Sequence, residues 1–184
     1  MSELCHYTDT PFAASSSGVS GGGLTALGVE AVQEMNRLGM LVDMAHASPH
    51  TIADVLRIAK KPPLITHTGS GSCHNDPKCL PDELLVETAR RGGVVGLGFV
   101  SDYVGGANFD ALIHALDHLI KVVGPEGVAL GSGFCALPQP VAVDHFPLLT
   151  NALLQRGYDE TVIAAVMGGN VAKYLLNNLP KEAG

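Results

Sequence analysis

No run of apolar residues in this 184-residue chain reaches membrane-spanning length, and its N-terminus lacks the basic-then-apolar form of a signal peptide. The sequence therefore reads as cytoplasmic, with no membrane partner. Positive charge is scarce: 11 Lys and Arg face 18 Asp and Glu, a net charge of −7, with no block of like charge. Nucleic acid is excluded as a partner, because phosphate binding needs clustered Lys and Arg. Four cysteines, Cys5, Cys73, Cys79 and Cys135, are too few and too scattered for a disulfide framework, and none forms a CxxC pair. Cys73, His74 and Cys79 share one loop, but their spacing is wrong for a zinc knuckle and a fourth ligand is missing.

What is present is 46% hydrophobic and 16% charged, the composition of a globular domain with a real core. The most informative stretch runs from Met40 to Thr68. It reads MLVDMAH, then the amphipathic segment SPHTIADVLRIAKK, then PPLITHT. Two short apolar runs each finish on a histidine, His46 and His67, with one helix-length connection between them. That pattern is strand, crossover helix, parallel strand. The C-terminal ends of parallel strands form the face where ligands and catalysis sit. Alternation along the first strand puts His46 with Met44 and Val42, and sets Asp43 on the opposite side as a structural residue. Two neighbouring imidazoles at equivalent strand ends suit a metal, for which neutral imidazole is the commonest ligand.

Around this unit the pattern repeats. Leu4 to His6 reads as the last turn of a strand, followed by a Gly/Ser-rich loop to residue 23. Thr25 caps a helix stopped by Gly39, and Ser48 caps the crossover helix, which carries Lys60 and Lys61 in its last turn. Residues 68–80 form a long polar loop, and Pro81 opens a helix with Asp82 and Glu83 at its positive end. GVVGLGFV and GVALGSGF are two further strands, separated by a helix over 109–123. That helix carries His114 and His118 one turn apart, an i, i+4 pair. Residues 134–184 read as a helical C-terminal part, in which Gly168, Gly169 and Asn170 stop one helix and start another. Strand–helix alternation at this spacing means a parallel sheet with right-handed crossovers. Four full strands and a stub are expected, in one domain over 1–184; an eight-stranded barrel needs about 250 residues.

Several stretches together resemble the membrane (renal) dipeptidase family of zinc metallopeptidases: LCHYTDTPFA, GLTALGVEAVQEMNRLGMLVDMAHAS, PPLITHTGS, LPDELL, GGVVGLGF, LDHLIKVVGPEGVALGSGF, LLTNALLQRGY and MGGN. The resemblance implies the C-terminal part of a TIM-like (β/α)8 barrel. It also implies two zinc ions whose bridging hydroxide attacks a dipeptide. On this resemblance His46 and His67 match two ligands of one zinc. His6 matches a histidine that contacts substrate and supports the tetrahedral intermediate. Lys78 falls at or near the arginine that holds the substrate's carboxylate, where it supplies charge but not a bidentate fork.

The departures are equally specific. The family's first metal motif and its bridging glutamate belong to strands upstream of every matched stretch. Its closing GSDFDG reads GSGFCA, with Gly133 and Cys135 in place of the two aspartates. Three readings follow. One is a truncated metallodipeptidase that needs a missing N-terminal segment or a second copy to complete its barrel. Another is a catalytically inactive relative that binds a small ligand or partner. In the third, Cys135 acts as a thiol beside His46 and His67.

Overall fold

The computed structural model describes residues 1–134 and 139–180. It is an alternation of short strands and longer helices: β1 (Ser2–Glu3), α1 (Ala26–Leu38), β2 (Val42–Asp43), α2 (Pro49–Ile58), β3 (Ile65–Ser70), β4 (Cys79–Leu80), α3 (Asp82–Arg90), β5 (Val95–Leu97), α4 (Ser101–Val104), α5 (Phe109–Val123) and β6 (Val128–Leu130). A 3-10 turn, α6 (Phe146–Gln155), α7 (Glu160–Ala164), a π turn and α8 (Asn170–Asn178) complete it.

Every strand pair is parallel. β1 pairs with β2, a single bridge between Asp43 and Leu64 joins β2 to the start of β3, and β3, β5 and β6 follow in order. The arc is thus β1-β2-β3-β5-β6, with strand stub and full strands as the sequence predicts. Two features depart from expectation. β3 continues past His67 to Ser70, and the polar loop after it contains β4, which pairs with Gly69 and Ser70. The first strand lies at Ser2–Glu3, so Leu4 to His6 is the turn leaving it rather than its last residues.

Helix ends follow their local chemistry. The hydroxyls of Thr25 and Ser48 accept from the N–H groups of Gly28 and Thr51, and Gly39 adopts the left-handed conformation that closes α1. α2 ends at Ile58, before Lys60 and Lys61; the ammonium of Lys61 instead donates to the carbonyls of Gly39 and Asn178. α5 is the central helix, with Leu112, Leu116 and Leu119 fully buried against the outer face of the sheet.

α8 packs at the N-terminal ends of the strands. Leu41, Leu64 and Val94 form a small second core with Tyr174, whose hydroxyl donates to the Pro62 carbonyl. Gly168 (φ 156°) breaks the preceding helix, and Asn170 restarts it while donating to the carbonyls of Pro125 and Val128, each at 2.7 Å. Asn170→Ala strips the part-buried Pro125 carbonyl and the buried Val128 carbonyl of a donor. It should lower the unfolding free energy by about 1–3 kcal/mol in urea titration, whereas Leu176→Ala on the exposed face of α8 leaves it within about 0.5 kcal/mol.

Candidate functional site

The site lies where β2 gives way to a turn beside β3. β2 stops at Asp43, and the chain turns through Met44 and Ala45 into His46, the one non-glycine residue with positive φ (60°) among those described. For a side chain with a Cβ this backbone costs roughly 1–2 kcal/mol. It is held by hydrogen bonds on both sides: Met44 N–H to the Leu64 carbonyl, Ala45 N–H to Asp43 Oδ1, and Ser16 N–H to the His46 carbonyl. Strand alternation therefore does not set the direction of His46; this turn does. β3 delivers His67 directly, two residues after the buried Ile65.

The outcome is a cluster of imidazoles. Nε2 of His67 and Nε2 of His46 approach to 2.8 Å, and the ring of His6 packs on that of His46 with centroids 4.3 Å apart. Tyr7 leans on both His6 and His46, and Tyr103 faces His67 at 6.0 Å. Burial, reinforced by the neighbouring imidazoles of His67 and His6 and by Lys78, pushes His46 down to about 4. Burial also lowers His67, against the opposing pull of Asp43. Both rings are thus neutral at pH 7, the state in which imidazole binds a metal.

Asp43 connects the two strands rather than facing the helices. It is 3% exposed; Oδ1 accepts from the N–H groups of Ala45 (3.1 Å) and Thr66 (3.0 Å), and Oδ2 accepts from the Thr66 hydroxyl at 2.7 Å. Thr66 Oγ1 in turn lies 3.0 Å from Nδ1 of His67.

Lys78 sits beside this cluster, but its ammonium is bonded to the Asp102 carboxylate, which raises the lysine and lowers the aspartate from their ordinary values. The cation is therefore already neutralised. Gly133 is exposed, with φ 59°, at the end of the segment after β6. Cys135 lies outside the described residues. His118 is no half of a metal pair: its Nε2 meets Asp82 Oδ2 at 2.9 Å and ties α5 to α3. The His-x-Asp triplet at residues 74–76 sits in the loop before β4, where Asp76 accepts from the Lys78 N–H.

As a donor set, His46 and His67 suit two positions around one ion. Two ligand nitrogens of a tetrahedral zinc stand about 3.3 Å apart, so the rings would part by about 0.5 Å to admit it. Among the described residues no group of three or more His, Cys, Asp or Glu side chains is placed to hold a metal ion.

The low value at His46 has a consequence for stability. His46 is neutral when folded down to about pH 4, whereas the unfolded chain takes up its proton near 6.5, so stability should fall as pH drops from about 6.5 to 4. The urea midpoint of the parent protein should drop more steeply over that window than that of His46→Gln. Because glycine accepts positive φ freely, His46→Gly should be about 1 kcal/mol more stable than His46→Ala in the same titration.

Comparison with known proteins identifies the family. The profile of the membrane dipeptidases, peptidase family M19, matches residues 1–178. An uncharacterized dipeptidase of Schizosaccharomyces pombe is 34% identical over 92% of this chain and 44% of its own length. Dipeptidase 3 of Mus musculus is 31% identical over 82% of this chain and 32% of its own length. The crystal structure of a metallopeptidase from Rhodobacter sphaeroides, liganded with a phosphinate mimic of the dipeptide L-Ala-D-Ala, superposes with a TM-score of 0.81. It is 28% identical, covering 91% of this chain and 50% of that one. The chain spans less than half the length of these curated relatives, and its parallel arc is part of their barrel. The chain belongs to the membrane dipeptidase family of metallopeptidases.

Proposed function

We propose that this chain carries the histidine-bearing part of a metal-dependent dipeptidase site, with His46 and His67 as two ligands of one zinc ion. The observation that supports this most directly is the convergence of their Nε2 atoms to 2.8 Å, one carried by the turn that leaves β2 and the other by the neighbouring strand β3. Bound there, zinc would supply Lewis acidity and lower the pKa of a water molecule. The chain's own residues would do the rest. His6, exposed on the rim and stacked on His46, would donate a hydrogen bond to the oxygen that gains charge as the peptide carbonyl is attacked. Lys78 would meet the substrate's terminal carboxylate, which must compete with Asp102 for it. The substrate class, dipeptides, follows from the dipeptide mimic bound by the Rhodobacter sphaeroides relative.

A second reading, a dipeptidase-like protein that binds a small ligand without hydrolysing it, is favoured by two observations. Gly133 stands where the resemblance places an aspartate for proton transfer, and Lys78 is neutralised by its neighbour.

Zinc titration of the dialysed chain by calorimetry, with Ala-Ala hydrolysis measured on the same samples, tests both. One equivalent of zinc is expected, lost in both His46→Gln and His67→Gln. Two equivalents, or one that survives both substitutions, would refute the ligand assignment. Hydrolysis that also disappears in His6→Gln supports the dipeptidase reading, and zinc binding without hydrolysis supports the second.

A further inference from the structure

The buried Asp43 does more than join two strands. Its carboxylate oxygens only accept hydrogen bonds, so the single hydroxyl proton of Thr66 is committed to Oδ2. Thr66 Oγ1 therefore has only lone pairs to offer Nδ1 of His67 at 3.0 Å, and Nδ1 must carry the ring proton. That leaves a lone pair on Nε2 of His67, aimed at Nε2 of His46 2.8 Å away, which must donate. Through Oδ1 the same carboxylate holds the Ala45 N–H, and with it the turn that places His46 in its left-handed conformation. One side chain thus governs the direction of both imidazoles.

We propose that Asp43, acting through the Thr66 hydroxyl, is a positioning residue that locks His67 in the Nδ1–H tautomer and so presents its Nε2 lone pair to a metal. The metal role rests on the zinc reading above; the tautomer does not. No change of protonation is involved, only a choice between two neutral forms. Either form satisfies a lone histidine. The direction of the chain from His67 through Thr66 to Asp43 decides between them.

Asp43→Asn should reverse that direction. The amide oxygen can keep the bonds to Ala45 and Thr66 N–H, which places its NH2 against the Thr66 hydroxyl. The introduced amide then donates where the carboxylate accepted. The hydroxyl proton turns toward His67 Nδ1, and the ring proton must move to Nε2. The whole chain reverses without loss of a hydrogen bond: the lone pair on His67 Nε2 becomes an N–H, the N–H on His46 Nε2 becomes a lone pair, and His67 can then offer Nε2 to a metal only by taking a proton back onto an Nδ1 that the Thr66 hydroxyl now donates to.

Two-bond 1H–15N correlation spectra of the 15N-histidine-labelled, metal-free chain, at slightly alkaline pH, read the tautomer directly. The expected result is Nδ1–H for His67 in the parent, Nε2–H in Asp43→Asn, and near-identical circular dichroism for the two. An Nε2–H parent, or an Asp43→Asn variant that keeps Nδ1–H, would overturn the proposal. Should Asp43→Asn fail to fold, Thr66→Ser is expected to retain Nδ1–H and Thr66→Val to lose it; equal behaviour of the pair would overturn it equally. Zinc affinity separates the metal role from the tautomer: in Asp43→Asn it should weaken about 10–100-fold. A parent that binds no zinc sinks the zinc reading, while the spectra still decide the role of Asp43.

Discussion

The short junction between β2 and β3 is the constraint on which the site depends. These strands share one backbone bridge: Leu64 N–H meets the Val42 carbonyl at 3.1 Å, and Met44 N–H meets the Leu64 carbonyl at 2.8 Å. Parallel pairing at this point, with no slack, puts the next few residues of both strands side by side. His46 and His67 meet because the strands that carry them do. The crossover helix α2 makes this possible by burying Ile52, Val55 and Leu56 completely or nearly so, which returns the chain to the same edge of the sheet.

Proximity alone would leave two strongly coupled rings free to reorient. Desolvation removes the charged forms, and the backbone strain stored at His46 is held in place by bonds to Leu64, Asp43 and Ser16. Such a turn persists only where its surroundings over-determine it. The rim is treated differently. Tyr7 and His6 are exposed and their rings pack on one another, the His6 carbonyl accepts from the Ser15 hydroxyl, and Lys78 is engaged by Asp102. The buried layer is preorganised and the outer layer is adaptable, the division expected where a ligand must enter past one and meet the other.

Much of this was legible in the sequence because it rests on local signals. The caps at Thr25 and Ser48, the stop at Gly39, the 109–123 helix and the two strands ending near His46 and His67 all follow from patterns a few residues long. What escaped was tertiary. Nothing local marks β4 inside a polar loop, since Cys79 and Leu80 become a strand only by pairing with Gly69 and Ser70. Alternation sets Asp43 opposite His46 as a structural residue, but β2 ends at that residue and its carboxylate finds Thr66, 23 residues on. The ion pair of Lys78 with Asp102 joins the loop after β3 to α4, and the tie between His118 and Asp82 joins α5 to α3, in both cases with no shared motif. The parallel strand order was readable from strand–helix alternation and the partial barrel from the family resemblance; the hydrogen-bond direction within the site needed coordinates.

The α8 helix, clasped to the strand starts by Tyr174 and Asn178, lies at the opposite end of the sheet from the imidazoles. What keeps the molecule folded and what would let it act are therefore carried by different ends of the same strands. A lineage built this way can rewrite its rim without risking collapse, losing an acidic group at one position or gaining a charge partner at another. A fold that separates its foundations from its tools can outlive the trade it was first selected for.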